Sequence, residues 1–241
     1  MQIKYFQKGF NYAQDGPGNR LVYHLQGCNL RCPWCSNPEG MFNKGECHTV
    51  TVEELIDEAV RAKPMFFEGG GVTFTGGEAT LQFEALKAAL AGLQVAGIST
   101  AMETNGTSPR LPELFDRLDH LIIDLKHPDD ARHRTLTGLG NRQIKQNIIE
   151  AAASGCPLLV RMPLIGGVNT DPETRELAIR FFETVAGKNV SFELLKYHEY
   201  GKDKWQQCGL TYTVTNAFVP ETLRQEMEQA MKQRGLRVIR T

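Results

Sequence analysis

The sequence predicts an α/β fold built on parallel strands and bent into an open, partial barrel. Three observations predict it. Short aliphatic or β-branched runs alternate with helix-length amphipathic segments six times, the pattern that threads a parallel sheet through crossover helices. No composition break or low-complexity linker interrupts that alternation, so residues 1–241 read as a single domain. Eight such units close a full barrel, and six leave it open.

The elements follow in order. Residues 1–20 read as a polar lead-in ending in the turn-rich Asp15-Gly16-Pro17-Gly18-Asn19-Arg20. Arg20 to Gln26 alternates Leu21, Tyr23 and Leu25 with Val22, His24 and Gln26, which suits the first strand. Residues 36–49 read as an irregular polar segment. Thr51-Val52-Glu53-Glu54 is a capping box, and the helix behind it carries Leu55, Ile56, Ala59 and Val60 on one face and stops before Pro64. Gly71 to Thr75 is a strand, and Phe83 to Ala96 a helix with Leu86, Leu90 and Leu93 as its stripe. The unit then repeats: strand from Ile98 to Glu103, helix from Leu111 to Leu118, strand from His120 to Leu125, helix from Arg142 to Ser154 with Gly155 as its cap. Leu158 to Met162 is a strand, a helix opens near Asp171-Pro172-Glu173, and Val190 to Leu195 is the sixth strand. Glu221 to Gln233 is the last helix, with Val238-Ile239 as a short terminal strand.

Composition narrows the function. A 41% hydrophobic content supports a sizeable core, and a formal charge of −1 gives no electrostatic case for nucleic acid or an anionic membrane as partner. Six cysteines are too few and too uneven for a disulfide scaffold in 241 residues. Without an apolar run of membrane-spanning or signal-peptide type, the expectation is a soluble, cytoplasmic protein.

The chemistry centres on Gly27-Cys28-Asn29-Leu30-Arg31-Cys32-Pro33-Trp34-Cys35. Three thiols spaced four and then three residues apart converge if the loop wraps inward, and thiolates that close need a cation or an iron–sulfur cluster between them. A four-iron cluster normally takes four thiolates. Three local cysteines would leave one iron open to a small molecule. The plainer alternative is a structural zinc with His24 or His48 as fourth ligand, although no second cysteine pair follows at the usual zinc spacing.

The strand ends supply the rest: Gly76-Gly77-Glu78, Glu103-Thr104-Asn105, Asp124-Leu125-Lys126, Arg161 and Tyr197-His198. The carboxyl edge of parallel strands is where active sites collect. Gly76 and Gly77 let a ligand approach the backbone. Glu78 and Asp124 can accept from an ammonium or a ribose, while Lys126 and Arg161 can pair with a carboxylate. A ligand with an amino acid head and a nucleoside fits that set, and S-adenosylmethionine is one. The remaining Cys47, Cys156 and Cys208 read as free thiols or small core residues, and His127 and His133 as solvated loop residues.

With these residues in view, the Cys28-x-x-x-Cys32-x-x-Cys35 loop resembles the signature of radical S-adenosylmethionine enzymes. Asp15-Gly16-Pro17-Gly18, Gly69-Gly70-Gly71-Val72-Thr73, Thr75-Gly76-Gly77-Glu78-Ala79, Thr104-Asn105-Gly106, Asp124-Leu125-Lys126 and Tyr197-His198-Glu199-Tyr200-Gly201-Lys202 are similar to the blocks of the activating enzymes of glycyl radical enzymes, above all the pyruvate formate-lyase-activating family. The resemblance implies a (β/α)6 partial barrel with a [4Fe–4S] cluster on Cys28, Cys32 and Cys35, the open iron of which S-adenosylmethionine chelates. It implies reduction by flavodoxin or ferredoxin, and hydrogen abstraction by a 5′-deoxyadenosyl radical from a glycine of a partner glycyl radical enzyme, the activase itself being a monomer. Trp34, Ser36, Gly76, Gly77, Glu78, Asp124, Leu125, Lys126, Arg161 and His198 would hold the cofactor, and Asp15 would face the incoming glycine loop. Glu103, which stands where the family has Asp, would hold a monovalent cation with Thr104. Residues 36–69 contain only Cys47, so they cannot build the additional clusters that related activators carry after the cysteine loop. Two other functions stay open at this point. One is a small-molecule enzyme such as a 7-carboxy-7-deazaguanine synthase, against which the Asp15 and Tyr197 blocks weigh. The other is a non-catalytic metal module.

Overall fold

A computed structural model describes all 241 residues. Its strands are β1 (Gln2–Tyr12), β2 (Asn19–Leu25), β3 (His48–Thr51), β4 (Gly71–Gly76), β5 (Ser99–Thr104), β6 (His120–Asp124), β7 (Leu158–Leu164) and β8 (Val190–Lys196). They form one sheet in the order β3-β1-β2-β4-β5-β6-β7-β8. From β2 to β8 every neighbouring pair is parallel. The sheet is not closed, and β3 and β8 are its edges. The predicted α/β partial barrel is the observed architecture, with the cysteine loop at the carboxyl end of the first parallel strand, β2.

Alternation along the strands sorts the side chains. Leu21, Tyr23, Leu25, Val72, Phe74, Met102, Leu121, Ile123, Val160, Met162, Phe192 and Leu194 join a core with the helices α2 (Val52–Ala62), α3 (Phe83–Val95), α5 (Arg142–Ser154), α6 (Pro172–Thr184) and α8 (Glu221–Gln233). The intervening His24, Thr75, Glu103, Asp124, Arg161, Pro163 and Leu195 turn to the other face of the sheet and line a cavity.

Local signals hold where they are strongest. Thr51 Oγ1 accepts from the Glu54 amide at 3.1 Å, and Glu54 Oε2 accepts from the Thr51 amide at 2.9 Å, closing the capping box. Gly155 caps α5 at φ 82°. Asp171 caps α6 by accepting from the Thr174 amide.

Several expectations are corrected. The polar lead-in is an 11-residue strand, β1, antiparallel to both β2 and β3. Of its residues only Ile3 and Phe6 are buried, so backbone pairing rather than an apolar face holds it. Residues 36–49 are not irregular throughout, since they contain the short helix α1 (Pro38–Met41) and enter β3. Val60 is exposed, and the buried stripe of α2 is Val52, Leu55 and Ala59. Leu111–Arg117 is a 3-10 helix rather than an α-helix. Two further helices, α4 (Asp130–Thr137) and α7 (Lys202–Gln207), stand where loops were expected. Val238 makes only a single parallel bridge to Phe192. No helix is long and apolar enough to cross a membrane.

Candidate active site

Gly27 leaves β2 with φ at 97°, a left-handed turn that suits glycine, and starts the cysteine loop. Its carbonyl accepts from the Glu78 amide at 2.7 Å, and the Leu25 carbonyl accepts from the Gly77 amide at 2.9 Å. A Cβ on Gly77 would lie 1.9 Å from the Gly27 oxygen, and one on Gly76 would lie 2.3 Å from the Leu25 nitrogen. The glycine pair is therefore demanded by the backbone of the cysteine-loop strand as well as standing at the cavity edge where a ligand can approach.

One cavity of about 680 Å³ opens at this edge. Cys28, Cys32 and Cys35 line it together with Asp15, Trp34, Ser36, Gly76, Gly77, Glu103, Thr104, Asp124, Lys126, Arg161 and His198, each of them singled out from the sequence. Burial pushes the Cys28 thiol above its ordinary pKa, against the Leu30 amide that donates to its sulfur. Burial takes Cys32 up to about 12 and Cys35 to about 11. Three thiols in one cavity, Cys32 buried and Cys28 and Cys35 half-buried, require positive charge before they can ionise together. The three thiols and His24 line one cavity, but no three His, Cys, Asp or Glu groups stand at single-ion spacing. A polynuclear group fits the donor set better.

Asp124 and Lys126 project from the end of β6 as an ion pair of 2.8 Å. Burial opposes the Lys126 charge, but Asp124 beside it, with the Cys32 thiol, outweighs burial and raises its pKa. The second Asp124 oxygen, Oδ1, is buried with no hydrogen-bond partner. It is an acceptor presented at the cavity wall, suited to an ammonium or hydroxyl.

Arg161 is more embedded than expected. Its Nε donates to Glu193 at 2.7 Å, its Nη1 lies 3.4 Å from Glu103, and its Nη2 donates to the Gln14 carbonyl and to Thr241 Oγ1. Burial raises Glu103 to about 7, with Asp124 and Asp15 adding to it and Arg161 opposing. As a pair for a cation, Glu103 and Thr104 are both committed to protein partners: Glu103 to Arg161 and to the Thr75 hydroxyl, Thr104 to Glu78.

Because its folded pKa lies above the ordinary 4.5, Glu103 stabilises the fold most below that value and loses the contribution as pH rises through about 7. The wild-type chain, free of cluster, is expected to lose on the order of 2 kcal/mol relative to Glu103→Gln between pH 5 and pH 8. Urea unfolding of both proteins at the two pH values measures it. Parallel stability curves would contradict the assignment.

Glu78 and Leu125 are not brought into the cavity. The Glu78 carboxylate is fully buried and accepts from the Thr80 amide and hydroxyl, the Thr104 hydroxyl and the Asn105 amide. It ties the end of β4 to the end of β5. The Leu125 side chain belongs to the apolar core. Trp34 lines the cavity but also packs with Leu30, Cys32, Ile165, Tyr197 and Ala217 in a small satellite cluster. His198 stacks on Tyr200 with 4.2 Å between ring centroids, and its partial burial lowers its pKa. Asp15 accepts from the Asn11 side-chain amide, and its carbonyl accepts from the Thr73 hydroxyl at 2.8 Å.

Asn105, named at the β5 end but given no role from the sequence, donates from its side chain to Asn29 at 2.8 Å and lies 4.0 Å from the Cys28 sulfur. The Thr104-Asn105-Gly106 motif marks the strand end, but the pairing with Asn29 appears only when the two loops meet in the fold. His127 and His133 are buried, not solvated. His133 Nδ1 meets the Leu139 carbonyl and the Thr137 hydroxyl, and Thr137 closes α4 with its own carbonyl accepting from the Arg31 amide of the cysteine loop.

The model of the Radical SAM superfamily matches residues 22–178. The pyruvate formate-lyase-activating enzyme of Staphylococcus epidermidis is 34% identical over 217 residues, covering 86% of each chain. That of Staphylococcus aureus is 32% identical with the same coverage. A crystal structure of a domain of pyruvate-formate lyase-activating enzyme from Bacteroides vulgatus covers 70% of this chain and 98% of its own, at 30% identity and a TM-score of 0.58. A radical SAM methyltransferase from Sphaerobacter thermophilus covers 95% of this chain and 67% of its own, with a TM-score of 0.68 at 16% identity. That last likeness bears on the fold alone.

Proposed function

Because the chain belongs to the radical SAM superfamily, whose members use a [4Fe–4S] cluster and S-adenosylmethionine, we propose that it activates a glycyl radical enzyme of the pyruvate formate-lyase kind. The observation that carries this is the span of the likeness. Relatives with that activity in their names match 86% of both chains at 32–34% identity, far beyond the cysteine loop that the whole superfamily shares.

Cys28, Cys32 and Cys35 would hold the cluster, and the amino and carboxyl groups of S-adenosylmethionine would complete it. The chemistry that this pair supplies, when bound, is one-electron reductive cleavage to a carbon radical able to take hydrogen from a glycine Cα. The chain's own residues orient and neutralise. Lys126 offsets the negative charge of the ionised thiols and of Asp124. The unpartnered Asp124 Oδ1 accepts from the cofactor's ammonium or ribose. Trp34, Ser36 and His198 flank it, the Gly76-Gly77 backbone forms one wall, and Arg161 fixes the β7–β8 side of the floor. Asp15, on the β1–β2 turn, faces the partner's glycine loop. In this assignment the protein is a cytoplasmic, single-domain monomer that takes its electron from a reduced flavodoxin or ferredoxin.

The test combines the cluster-loaded, reduced protein with S-adenosylmethionine and pyruvate formate-lyase. Electron paramagnetic resonance is expected to show a carbon-centred doublet on the partner, and a partner deuterated at glycine Cα is expected to place deuterium in 5′-deoxyadenosine. Cofactor cleavage with no radical on the partner and no deuterium transfer would overturn the proposal.

A further inference from the structure

The cysteine loop is fixed at three places, and only two of them involve strand ends or α4. At the Cys28 end, Gly27 bonds to Glu78 and Asn29 to Asn105. In the middle, the Arg31 amide bonds to Thr137 of α4. The third hold comes from 170 residues downstream, at Cys35. The Trp205 indole N–H, on α7, donates to the Cys35 carbonyl at 2.9 Å. Lys204, its neighbour, donates to Asn37 at the loop's exit at 3.1 Å and to Glu39 of α1 at 2.6 Å. Just ahead of α7, a Cβ on Gly201 would lie 2.5 Å from the Cys35 carbonyl oxygen and 2.7 Å from the Ser36 Cα, so only glycine admits this approach.

The Trp205 ring is itself held. It meets Phe42 edge-on at 5.8 Å and Tyr212 edge-on at 5.7 Å. The Tyr212 hydroxyl is 2.7 Å from that of Tyr197, which packs with Cys32 and Trp34. A buried indole with a rigid ring and one hydrogen bond has little freedom left, so it transmits its position to whatever it touches. What it touches is the backbone of the last thiol.

We propose that Trp205 is the positioning residue for Cys35, clamping the loop's exit so that the third thiol stays aimed at the cluster. The cluster arm of this inference rests on the activase reading; the loop arm does not. A carbonyl bonded to an indole N–H cannot rotate without breaking that bond, and rotating it would swing the Cys35 Cβ. Lys204 holds Asn37 and Glu39 just beyond that contact, and Gly201 lies against Cys35 and Ser36.

The test replaces Trp205 by benzothienylalanine, which keeps ring size and packing but has sulfur in place of the N–H, with Trp205→Phe beside it. Hydrogen exchange of the chain as isolated is expected to quicken about fivefold over residues 35–42, the factor of one lost hydrogen bond, with β2 unchanged. Iron release from the loaded protein to a chelator is expected to quicken by a similar factor, with a changed electron paramagnetic resonance spectrum of the reduced cluster. Unaltered exchange over residues 35–42 in the isosteric variant would overturn the clamp, whatever Trp205→Phe does to folding. Failure of the wild type to take up iron would count against the activase reading, while the exchange experiment would still decide the clamp.

Discussion

Replacing Cys32 by alanine is expected to abolish iron uptake and all cleavage of S-adenosylmethionine, while the chain still folds. Three thiols line the cavity. With two left, a four-iron cluster has two irons without protein ligands, and none of Cys47, Cys156 and Cys208 lines the cavity to replace the lost thiol. The fold has less to lose. Burial keeps the Cys32 thiol neutral without a cluster, so no buried charge is orphaned. Its small side chain sits at the edge of the satellite cluster of Leu30, Trp34, Ile165, Tyr197 and Ala217. Removing one sulfur there costs about 1 kcal/mol, by analogy with other small deletions from a packed site. Iron and sulfide per chain after anaerobic reconstitution, with a thermal melt of the same sample, measure both halves. Cys47→Ala is the control and should load fully. Full iron in Cys32→Ala, or stoichiometric zinc with no iron in the wild type, would refute the cluster assignment.

How much of this was legible depends on what each residue's neighbours in sequence reveal. The parallel strands were visible because their outward side chains are aliphatic and buried against helices, and the capping box at Thr51 is a purely local device. The cysteine loop was visible for the same reason, since its three thiols lie within eight residues. β1 was invisible because its partners supply hydrogen bonds rather than an apolar face. α4 was missed because its buried residues are His133 and Thr137, and α7 because Trp205 is its one buried side chain. At the strand ends the error was one of phase. Asp124 and Lys126 alternate into the cavity while Leu125 between them faces the core, and a one-residue step reverses the face. Glu78 was misplaced because its four donors come from Thr80, Thr104 and Asn105, a convergence that only the folded loop creates.

Arg161→Met is expected to destabilise the fold by about 3–5 kcal/mol, although Arg161 lines the same cavity as the cluster loop. The cause is the carboxylate it would leave behind. Arg161 and Glu193 have side chains only 4% and 3% exposed and share a 2.7 Å contact. Burial opposes the Arg161 charge, and Glu103 and Glu193 beside it more than compensate. Taking the guanidinium away strands Glu193 in a dry interior, with only the Thr241 amide and hydroxyl still donating to it. It also frees the Gln14 carbonyl, so the β1–β2 turn carrying Asp15 loses its tie to β7. In a chain of this size the loss corresponds to a melting temperature lower by roughly 10 °C. Arg161→Lys should rescue little, because an ammonium cannot reach Glu193, Glu103 and the Gln14 carbonyl from one planar group. The decisive comparison is the double variant Arg161→Met/Glu193→Gln. With Glu193 no longer a charge to strand and only the partly exposed Glu103 left without its guanidinium, it should recover more than half of the loss, a coupling that a double-mutant cycle reads directly. If Arg161→Met melts within about 2 °C of wild type and fails only in cofactor binding, the guanidinium serves the ligand rather than the barrel floor, and the ion pair with Glu193 does not hold the fold.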